Sequence, residues 1–450
     1  MPFPPFHAPW LGTGMVIGAN ATLHVVVSHG VAIGVIALLI LGEVLRPTFP
    51  RAAATALGEM LHRTLRGATI AVTVVGAVTG AGIWFTTGAL APRGVASMLR
   101  VFFWPWFAEW VVFVAEVVVL LLLYLFWERM SRRTRIRLGV AYLLLALVSA
   151  FLITGILGFM LTPGGWTEDA TLATAFFNPS FAPQLITRLA LSMVLGALAL
   201  LALLVVRSRP DGVEGPILRG LGVVLALSAP VLVVGIVAYV LIVPTVYTER
   251  TMFSVLTSHL SNLPWLFVGA NAVALLLLGL VAAAAWAGRR RAVRWLVAPA
   301  VVAAVGFTVE LERVREFIRG PYLMPEYMYA NGLLVAEQPL LAAEGVVAVS
   351  PWARHPAYAG ADGVGAYVFA TACTTCHTVD GINAITRRVE GRSRDGLEVV
   401  LKHTHRMVSF MPPLPGTPRE RRLTARLLYR LERGEAGLVR EAAVVPAGER

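Results

Sequence analysis

Hydrophobic residues along the first 320 positions fall into long runs that are separated by short polar stretches. A helix needs about 20 mostly apolar residues to cross the hydrocarbon core of a bilayer, and each run is at least that long. None of the runs alternates between apolar and polar with a period of two, which excludes a membrane β-barrel. The pattern predicts membrane-spanning helices over residues 22–45, 67–90, 101–126, 137–161, 184–206, 219–243, 263–287 and 292–318.

The composition supports an all-α fold, a polytopic bundle of about eight transmembrane helices. Hydrophobic residues make up 57% of the 450 residues, and charged residues make up only 14%. An ordinary soluble domain contains about 25% charged residues. The chain is therefore predicted to be an integral membrane protein.

The net charge of +12 comes mainly from arginines in alternate loops between the predicted helices. The loops over residues 50–67, 128–137, 207–220 and 288–294 are basic, whereas the intervening loops carry few positive charges. The positive-inside rule places the basic loops in the cytoplasm and explains the charge without a nucleic-acid partner. No Lys or Arg precedes Arg46, and an even number of helices then places both termini outside. Because no cleavable signal of the usual form is present, the first helix is predicted to start export.

The composition changes after the eighth predicted helix. We divide the chain into a transmembrane domain over 1–325, a linker over 326–359, a small polar domain over 360–435 and a loose tail over 436–450. A domain of about 75 residues needs a covalent or cofactor staple, because its own hydrophobic core is small.

Both cysteines of the chain lie in the segment TACTTCHTVDG of that polar domain. Cys373, Cys376 and His377 form C-x-x-C-H, the attachment pattern of a c-type haem, in which the two thiols bind the haem and the histidine ligates its iron. A zinc site would need four ligands, and the chain has no further cysteine. The motif therefore predicts one covalent haem c.

The other iron ligand of that haem is predicted to be Met411, which lies 34 residues after His377 in FMPPLPG. The two prolines fix the loop that has to reach the iron. His403, His405 and Met407 are alternatives, and a haem with two histidine ligands would have a lower potential. Over about 70 residues this part of the chain resembles class I cytochrome c domains. Haem of this kind is attached outside the bacterial cytoplasm, which agrees with the side that the arginines give to the C-terminus.

Ionisable residues inside the predicted helices are candidates for function, because they are costly in a bilayer. His29 lies about 10 Å from the outer end of the first helix, and Glu109 lies about 12 Å deep in the third. Glu116 follows two helical turns after Glu109 on the same face, so the two carboxylates would pass protons toward a buried haem. Glu316 ends the eighth helix among other charges and would alternatively face headgroups, and His29 would alternatively be a packing residue.

The transmembrane part resembles the haem-bearing large subunit of cytochrome bd-type oxidases over about residues 15–325. The segment GAVTGAGIWF (76–85) matches the second helix of that family, and FNP (177–179) matches the segment before the fifth. The family's first-helix histidine, a ligand of a high-spin haem, matches His29.

The same resemblance assigns roles to acidic residues. It places Glu109 at a haem and proton site, while the second glutamate of the family's third helix falls one residue early here, at Glu116. The segment EFIRGPY matches a family signature, which implies that Glu316 ligates membrane haem iron and that Arg319 lies in the haem environment. Glu109 is a further candidate iron ligand. The resemblance implies haem b, haem d or both in the membrane domain.

The sequence also departs from that family where quinol would deliver electrons. The fifth predicted helix contains no histidine, the loop over 244–262 is too short for a quinol-binding domain, and no methionine stands at the start of the seventh helix. The C-terminal haem c is then the predicted electron port.

These observations favour a multihaem cytochrome that transfers electrons between haem c and membrane haems. In one version of this hypothesis the protein is an oxygen reductase, and Glu109 and Glu116 supply the protons. The alternative is a non-catalytic haem relay and membrane anchor in a larger respiratory complex. A third possibility is a membrane part that binds no haem and only tethers the cytochrome domain. Expected partners are the membrane, a c-type cytochrome or extracytoplasmic redox protein, and other respiratory subunits, in the bacterial cytoplasmic membrane with the haem c domain outside.

The remaining histidines are predicted to have other environments. His24 lies about 140° around the helix from His29 and is expected to pack or line an interface, with ligation of a further haem as the alternative. The residues expected to be solvated or interfacial are His7, His62, His259 and His355.

Overall fold

The structure is a computed structural model that describes residues 6–206, 214–243, 264–317, 321–408 and 411–435. Within these ranges, eight helices are long and apolar enough to cross a membrane, which confirms the predicted number and the all-α class. They are α1 (Thr13–Thr48), α2 (Arg51–Leu90), α3 (Pro92–Leu125), α4 (Arg132–Phe159), α5 (Phe181–Val206), α6 (Glu214–Ile242), α7 (Pro264–Trp286) and α8 (Arg290–Phe317).

The first two helices are longer than hydropathy predicts. α1 begins at Thr13 instead of residue 22, because the polar but charge-free turns before residue 22 lower hydropathy without breaking a helix. The basic stretch over 50–67 is the first half of α2 and not a loop. Its buried Leu57, Leu61 and Leu65 recur every four residues and give this half an apolar stripe under its charged surface.

α3 bends sharply near its N-terminal end. Phe102, with φ −114° and ψ 28°, leaves the helical conformation three residues before Pro105, whose ring and missing N–H disturb the preceding turn. The side chains of Phe103, Trp104, Phe107 and Trp110 are exposed on the outside of the bundle. Exposed aromatic residues near a helix end are typical of the membrane interface.

Helices α1 and α5 pack backbone to backbone. A β-carbon on Gly34 would lie 2.0 Å from the carbonyl oxygen of Ser192, and one on Gly196 would lie 2.5 Å from the carbonyl carbon of Gly34. Small residues allow such close approach between membrane helices. This crossing fixes α1 against the centre of the bundle, where α5 contributes Leu191, Leu198 and Leu201 to the buried core.

Replacing Gly34 with alanine is expected to lower the free energy of unfolding by about 2–3 kcal/mol, because the helices would have to separate. Gly18→Ala is a matched control on the same helix, since a β-carbon there meets nothing within 4 Å. Unfolding of the purified protein in mixed micelles measures both effects. Equal stability of the two variants would contradict the close crossing.

The basic end of the bundle is held together by a buried carboxylate. Glu43 on α1, which is 1% exposed, pairs with Arg46 at 3.3 Å and with Arg135 of α4 at 2.8 Å. Arg132 donates to the carbonyl oxygens of Glu43 and Val44. Some of the arginines that suggest the orientation of the bundle therefore also join α1 to α4.

A segment over residues 321–359, which includes the predicted linker over 326–359, folds against the N-terminal end of α3 and the C-terminal end of α4. It carries strands β1 (Tyr322–Met324) and β2 (Met328–Tyr329), which pair antiparallel, and a short helix α9 (Gln338–Glu344). Met324 and Met328 are buried against Phe102 and Phe159 of the bundle. Arg93, at the start of α3, pairs with Glu337 at 2.6 Å.

The C-terminal domain is built on helices α10 (Gly360–Ala372), α11 (Arg394–Lys402) and α12 (Pro418–Glu432). Its core includes Phe369 of α10, Leu397 of α11 and Leu427 of α12. The carboxylate of Glu420 in α12 caps its own helix and accepts the backbone N–H groups of Val346 and Val347. The domain is thereby joined to the segment that packs on the bundle.

Candidate functional site

The C-x-x-C-H segment forms the turn that ends α10. The backbone N–H groups of Cys376 and His377 both donate to the carbonyl oxygen of Cys373, at 3.1 and 2.9 Å. The two cysteines are not joined in a disulfide, and Cys376 is exposed. The turn presents two cysteines and a histidine in the order that thioether attachment of haem requires.

Cys373 is partly buried and is protonated at neutral pH. Burial, together with the neighbouring Cys376 charge, raises the pKa of the Cys373 thiol to about 12. Redox-active cysteines work as thiolates and have lowered pKa values. The raised pKa of Cys373 is therefore unlike that of a redox-active dithiol.

His377 is kept neutral by burial and is oriented by Asn383. Its Nδ1 lies 3.2 Å from the carbonyl oxygen of Asn383, and burial lowers the pKa of the ring. With the proton on Nδ1, the lone pair of Nε2 is available to iron. Asn383 also donates to the carbonyl oxygen of Cys376 at 2.7 Å and accepts from Arg388 at 3.3 Å.

Asn383 adopts a φ of +56°, a conformation that asparagine tolerates better than most residues. This residue is missed by the sequence analysis, which followed only the haem attachment motif. The signal was present, since Gly381 and Asn383 after the motif are typical of a tight turn.

Met411 lies in a loop that is tied to the turn over Thr404–Met407. The carbonyl oxygen of Met411 is 3.2 Å from Nδ1 of His405, and the hydroxyl of Thr404 donates to the carbonyl oxygen of Pro412 at 3.0 Å. Met411 is half-buried, whereas Met407 and His405 are exposed. His403 is half-buried as Met411 is, so exposure sets Met411 apart from two of the three alternatives, and Met411 remains the predicted iron ligand.

His29 lies inside the bundle, in a π-helical segment of α1 (Val26–Val35), and is only 6% exposed. Such π-helical segments are frequent at functional sites. The hydroxyl of Ser28 donates to the carbonyl oxygen of Val25, so its oxygen is left to accept the N–H of His29 Nδ1 at 3.0 Å. The Nε2 atom of His29 therefore carries a lone pair.

That lone pair meets a buried arginine. Nη1 of Arg188, on α5, lies 3.4 Å from Nε2 of His29, and Nη2 lies 3.6 Å from a carboxylate oxygen of Glu312 on α8. The three side chains join α1, α5 and α8. Arg188 and Glu312 are missed by the sequence analysis, although an arginine inside an apolar helix is itself a signal of a partner.

The chemistry of His29 fits a haem ligand, on one condition. Its ring is buried, and Ser28 holds the tautomer with the proton on Nδ1. Histidine ligands of metals are commonly oriented by such a hydrogen bond from the other ring nitrogen. Iron and the Arg188 guanidinium cannot share Nε2, so ligation requires the guanidinium to move aside. The adjacent Arg188 and Glu312 then supply a positive and a negative group beside the ligand.

The predicted carboxylate column lies on α3 and faces α4. Ser149 of α4 donates to Glu109 at 3.2 Å, and Glu116 is buried. One carboxylate oxygen of Glu116 and the hydroxyl of the fully buried Tyr142 have no hydrogen-bond partner in the described part of the chain. Unpaired buried polar atoms of this kind are where internal water or transferred protons are expected.

The last two predicted site residues are Glu316 and Arg319. Glu316 is on α8, one turn beyond Glu312, but its side chain lies outside the described residues, as do all of Arg319, His259, the loop over 244–262 and the tail.

The other described histidines differ from one another in environment. His24 donates from Nδ1 to Thr79, at 3.1 Å, within the segment GAVTGAGIWF. His62 is half-buried and stacks on Trp127, and His355 is exposed. The prediction for His7 is wrong: the ring is 7% exposed, because residues before α1 fold against the C-terminal domain.

Comparison with known proteins identifies the fold of the chain. No family model and no curated protein matches the sequence. Among solved structures, the chain is similar to a bd oxidase from Geobacillus thermodenitrificans, with a TM-score of 0.55 and 17% sequence identity. The similarity covers 70% of this chain and 89% of that chain. The chain therefore has a helical membrane fold like that of the bd oxidase.

Proposed function

We propose that the chain is a membrane-bound multihaem cytochrome that transfers electrons between a covalent haem c and haems in the membrane bundle. The observation that carries this proposal is the position of the C-x-x-C-H turn. It lies against the N-terminal end of α1, the same helix that holds the buried His29, with the N–H of Gly14 donating to the carbonyl oxygen of Thr375. Haem groups at these two places would belong to one electron path.

In the C-terminal domain, Cys373 and Cys376 would hold a covalent haem c, and His377 and Met411 would be the ligands of its iron. Asn383 orients the His377 ring through the Nδ1 hydrogen bond. When bound, haem supplies one-electron transfer and, where an iron position stays open, oxygen binding. A haem c with both of these protein ligands would suit the domain to electron transfer.

In the membrane bundle, His29 and Glu316 are the proposed iron ligands of haem b, haem d or both, and Glu109 is a further candidate. Arg319 would lie beside a haem. Glu109, Ser149 and Glu116 form a polar path along the α3–α4 contact, in which the carboxylates accept and release protons. The similarity of the fold to that of a bd oxidase supports the placement of haem in the bundle.

We propose that the chain is placed in the bacterial cytoplasmic membrane with the haem c domain outside. The C-terminal domain and the arginine-rich cluster around Glu43 lie at opposite ends of α1, and the positive-inside rule favours the cytoplasm for the basic end. An extracytoplasmic redox protein, such as a c-type cytochrome, would then exchange electrons with the domain, within an assembly of respiratory subunits.

Carbon monoxide tests the oxygen-reducing version. We expect it to shift the spectrum of a high-spin membrane haem in the reduced protein, and we expect oxygen uptake when a c-type donor is supplied. The variant Glu116→Gln is expected to retain the spectral shift and to lose most oxygen uptake, because it removes a proton-carrying carboxylate and leaves the candidate iron ligands His29, Glu316 and Glu109 in place. Absence of both responses in the unmodified protein would exclude the oxidase.

The second candidate is a non-catalytic relay in a larger complex. It is favoured by the missing quinol features of the sequence, in particular the absence of a histidine from the fifth helix, because a bound redox partner would then have to exchange electrons with the chain. This version predicts that an extracytoplasmic dehydrogenase copurifies with fully haem-loaded protein. Turnover of oxygen by the isolated chain would contradict it.

A further inference from the structure

The residues before α1 form a strap over the haem-attachment turn. We define this strap as residues 6–14. The carbonyl oxygen of Trp10 accepts the N–H of Ile382 at 2.9 Å, and the N–H of Gly14 donates to the carbonyl oxygen of Thr375 at 3.2 Å. Thr375 lies between the two cysteines of the motif. The strap therefore contacts the turn that carries haem c.

The fit is close enough to require a glycine. A β-carbon on Gly381 would lie 2.2 Å from the carbonyl oxygen of Trp10, which is far inside normal contact distance. In the strap, Gly12 has a φ of +79° and faces the methyl group of Thr378. His7 of the strap is buried as well. These contacts resemble a packed interface and not a passing contact of a free N-terminus.

A second attachment holds the domain from the other side. The segment after α8 is fixed to the bundle by Arg93 and Glu337 and by the burial of Met324 and Met328. The same segment reaches the domain through the contacts of Val346 and Val347 with Glu420. Two attachments at separate points restrict rotation of the domain, whereas a single tether would not.

Helix α1 fixes the distance between the haem-attachment turn and the two histidines of the same helix. Gly14 is ten residues from His24 and fifteen from His29 on one continuous helix. At about 1.5 Å per residue these separations are about 15 Å and 22 Å. The haem-attachment turn is thus held at a set height above the buried histidine.

We propose that the strap is a positioning element that docks the haem c domain rigidly on α1, so that electrons cross from haem c to the membrane without a swing of the domain. This inference rests on the proposed function for the electron path. The docking itself depends only on the contacts of the protein chain, and it can be tested separately.

The variant Gly14→Pro tests the docking. Proline is tolerated in the first turn of a helix, where the N–H has no partner within the helix, but it removes the donor to Thr375. Gly14→Ala is the matched control, because it keeps the donor and its β-carbon would lie at an ordinary 3.4 Å from that oxygen. Gly381→Ala attacks the same interface from the domain.

Two measurements on the full-length protein are made with these variants. Hydrogen exchange at the Ile382 amide should become about tenfold faster in Gly14→Pro and in Gly381→Ala, but not in Gly14→Ala. After rapid photoreduction of haem c, electron transfer to the membrane haems should slow at least about tenfold in the same two variants. The content of covalent haem should stay unchanged in all of them.

The results of these measurements distinguish the docking of the domain from the proposed function. Unchanged exchange at Ile382 in both disrupting variants would overturn the docking, and faster exchange with an unchanged electron-transfer rate would overturn the positioning role. A protein that carries haem c but no extractable haem would contradict the proposed function alone, because the exchange rate would still distinguish a docked domain from a free one.

Discussion

Replacement of both Cys373 and Cys376 with alanine is expected to abolish covalent haem in the purified protein. Without the thioether bonds, haem that enters the domain is retained only by His377 and Met411 and is removed by acid acetone. Extractable haem in the membrane bundle should stay at its level in the unmodified protein, since the transmembrane helices do not depend on the thiols. The covalent and extractable haem fractions of the same preparation measure both expectations.

Single variants refine this prediction. Cys373→Ala and Cys376→Ala each leave one thiol, so each should retain haem through one bond with a shifted absorption band. Oxygen uptake driven by a c-type donor should fall to background in the double variant, because its electron port is lost. Covalent haem that persists in the double variant would show that the C-x-x-C-H turn is not its attachment site.

The second large effect is expected at His29. Replacing it with glutamine should remove one extractable haem, because the amide does not take the place of an imidazole ligand, while its size and its ability to accept from Arg188 are retained. The haem c content should not change. The ratio of extractable to covalent haem, measured by pyridine haemochrome spectra, records the result.

Two comparisons show whether the haem is lost through ligation or through misfolding. His24→Ala, on the same helix with its ring bonded to Thr79, is expected to keep the full haem content. His29→Ala also leaves Arg188 without that acceptor and should destabilise the bundle by about 1–3 kcal/mol in addition. Full haem retention in His29→Gln would contradict the assignment of His29.

The number of membrane helices was predictable from the sequence, because the thickness of a bilayer imposes a length on every apolar run. Helix ends were less predictable. The N-terminal turns of α1 carry Thr13 and Asn20, which lower hydropathy without interrupting a helix, and the first half of α2 is amphipathic and not uniformly apolar. Hydropathy detects the apolar residues that cross the bilayer. It does not detect helical turns that extend beyond the bilayer.

The candidate site likewise contains features that the sequence predicts and features that it does not. The attachment motif was readable because the bonding chemistry fixes the spacing of Cys373, Cys376 and His377. The contact of Arg188 with His29 was not, because it joins residues 159 positions apart through tertiary packing. The strap was also hidden, since its hydrogen bonds use backbone atoms, and only the absence of a side chain at Gly381 carries any trace of it.

The haem count of the purified chain tests the central claim most directly. Pyridine haemochrome spectra before and after acid acetone extraction give the covalent and the extractable haem for each polypeptide. The proposed function predicts one covalent haem c together with extractable haem b, haem d or both. One covalent haem with no extractable haem would contradict it and would leave the bundle as a membrane tether for a cytochrome c domain.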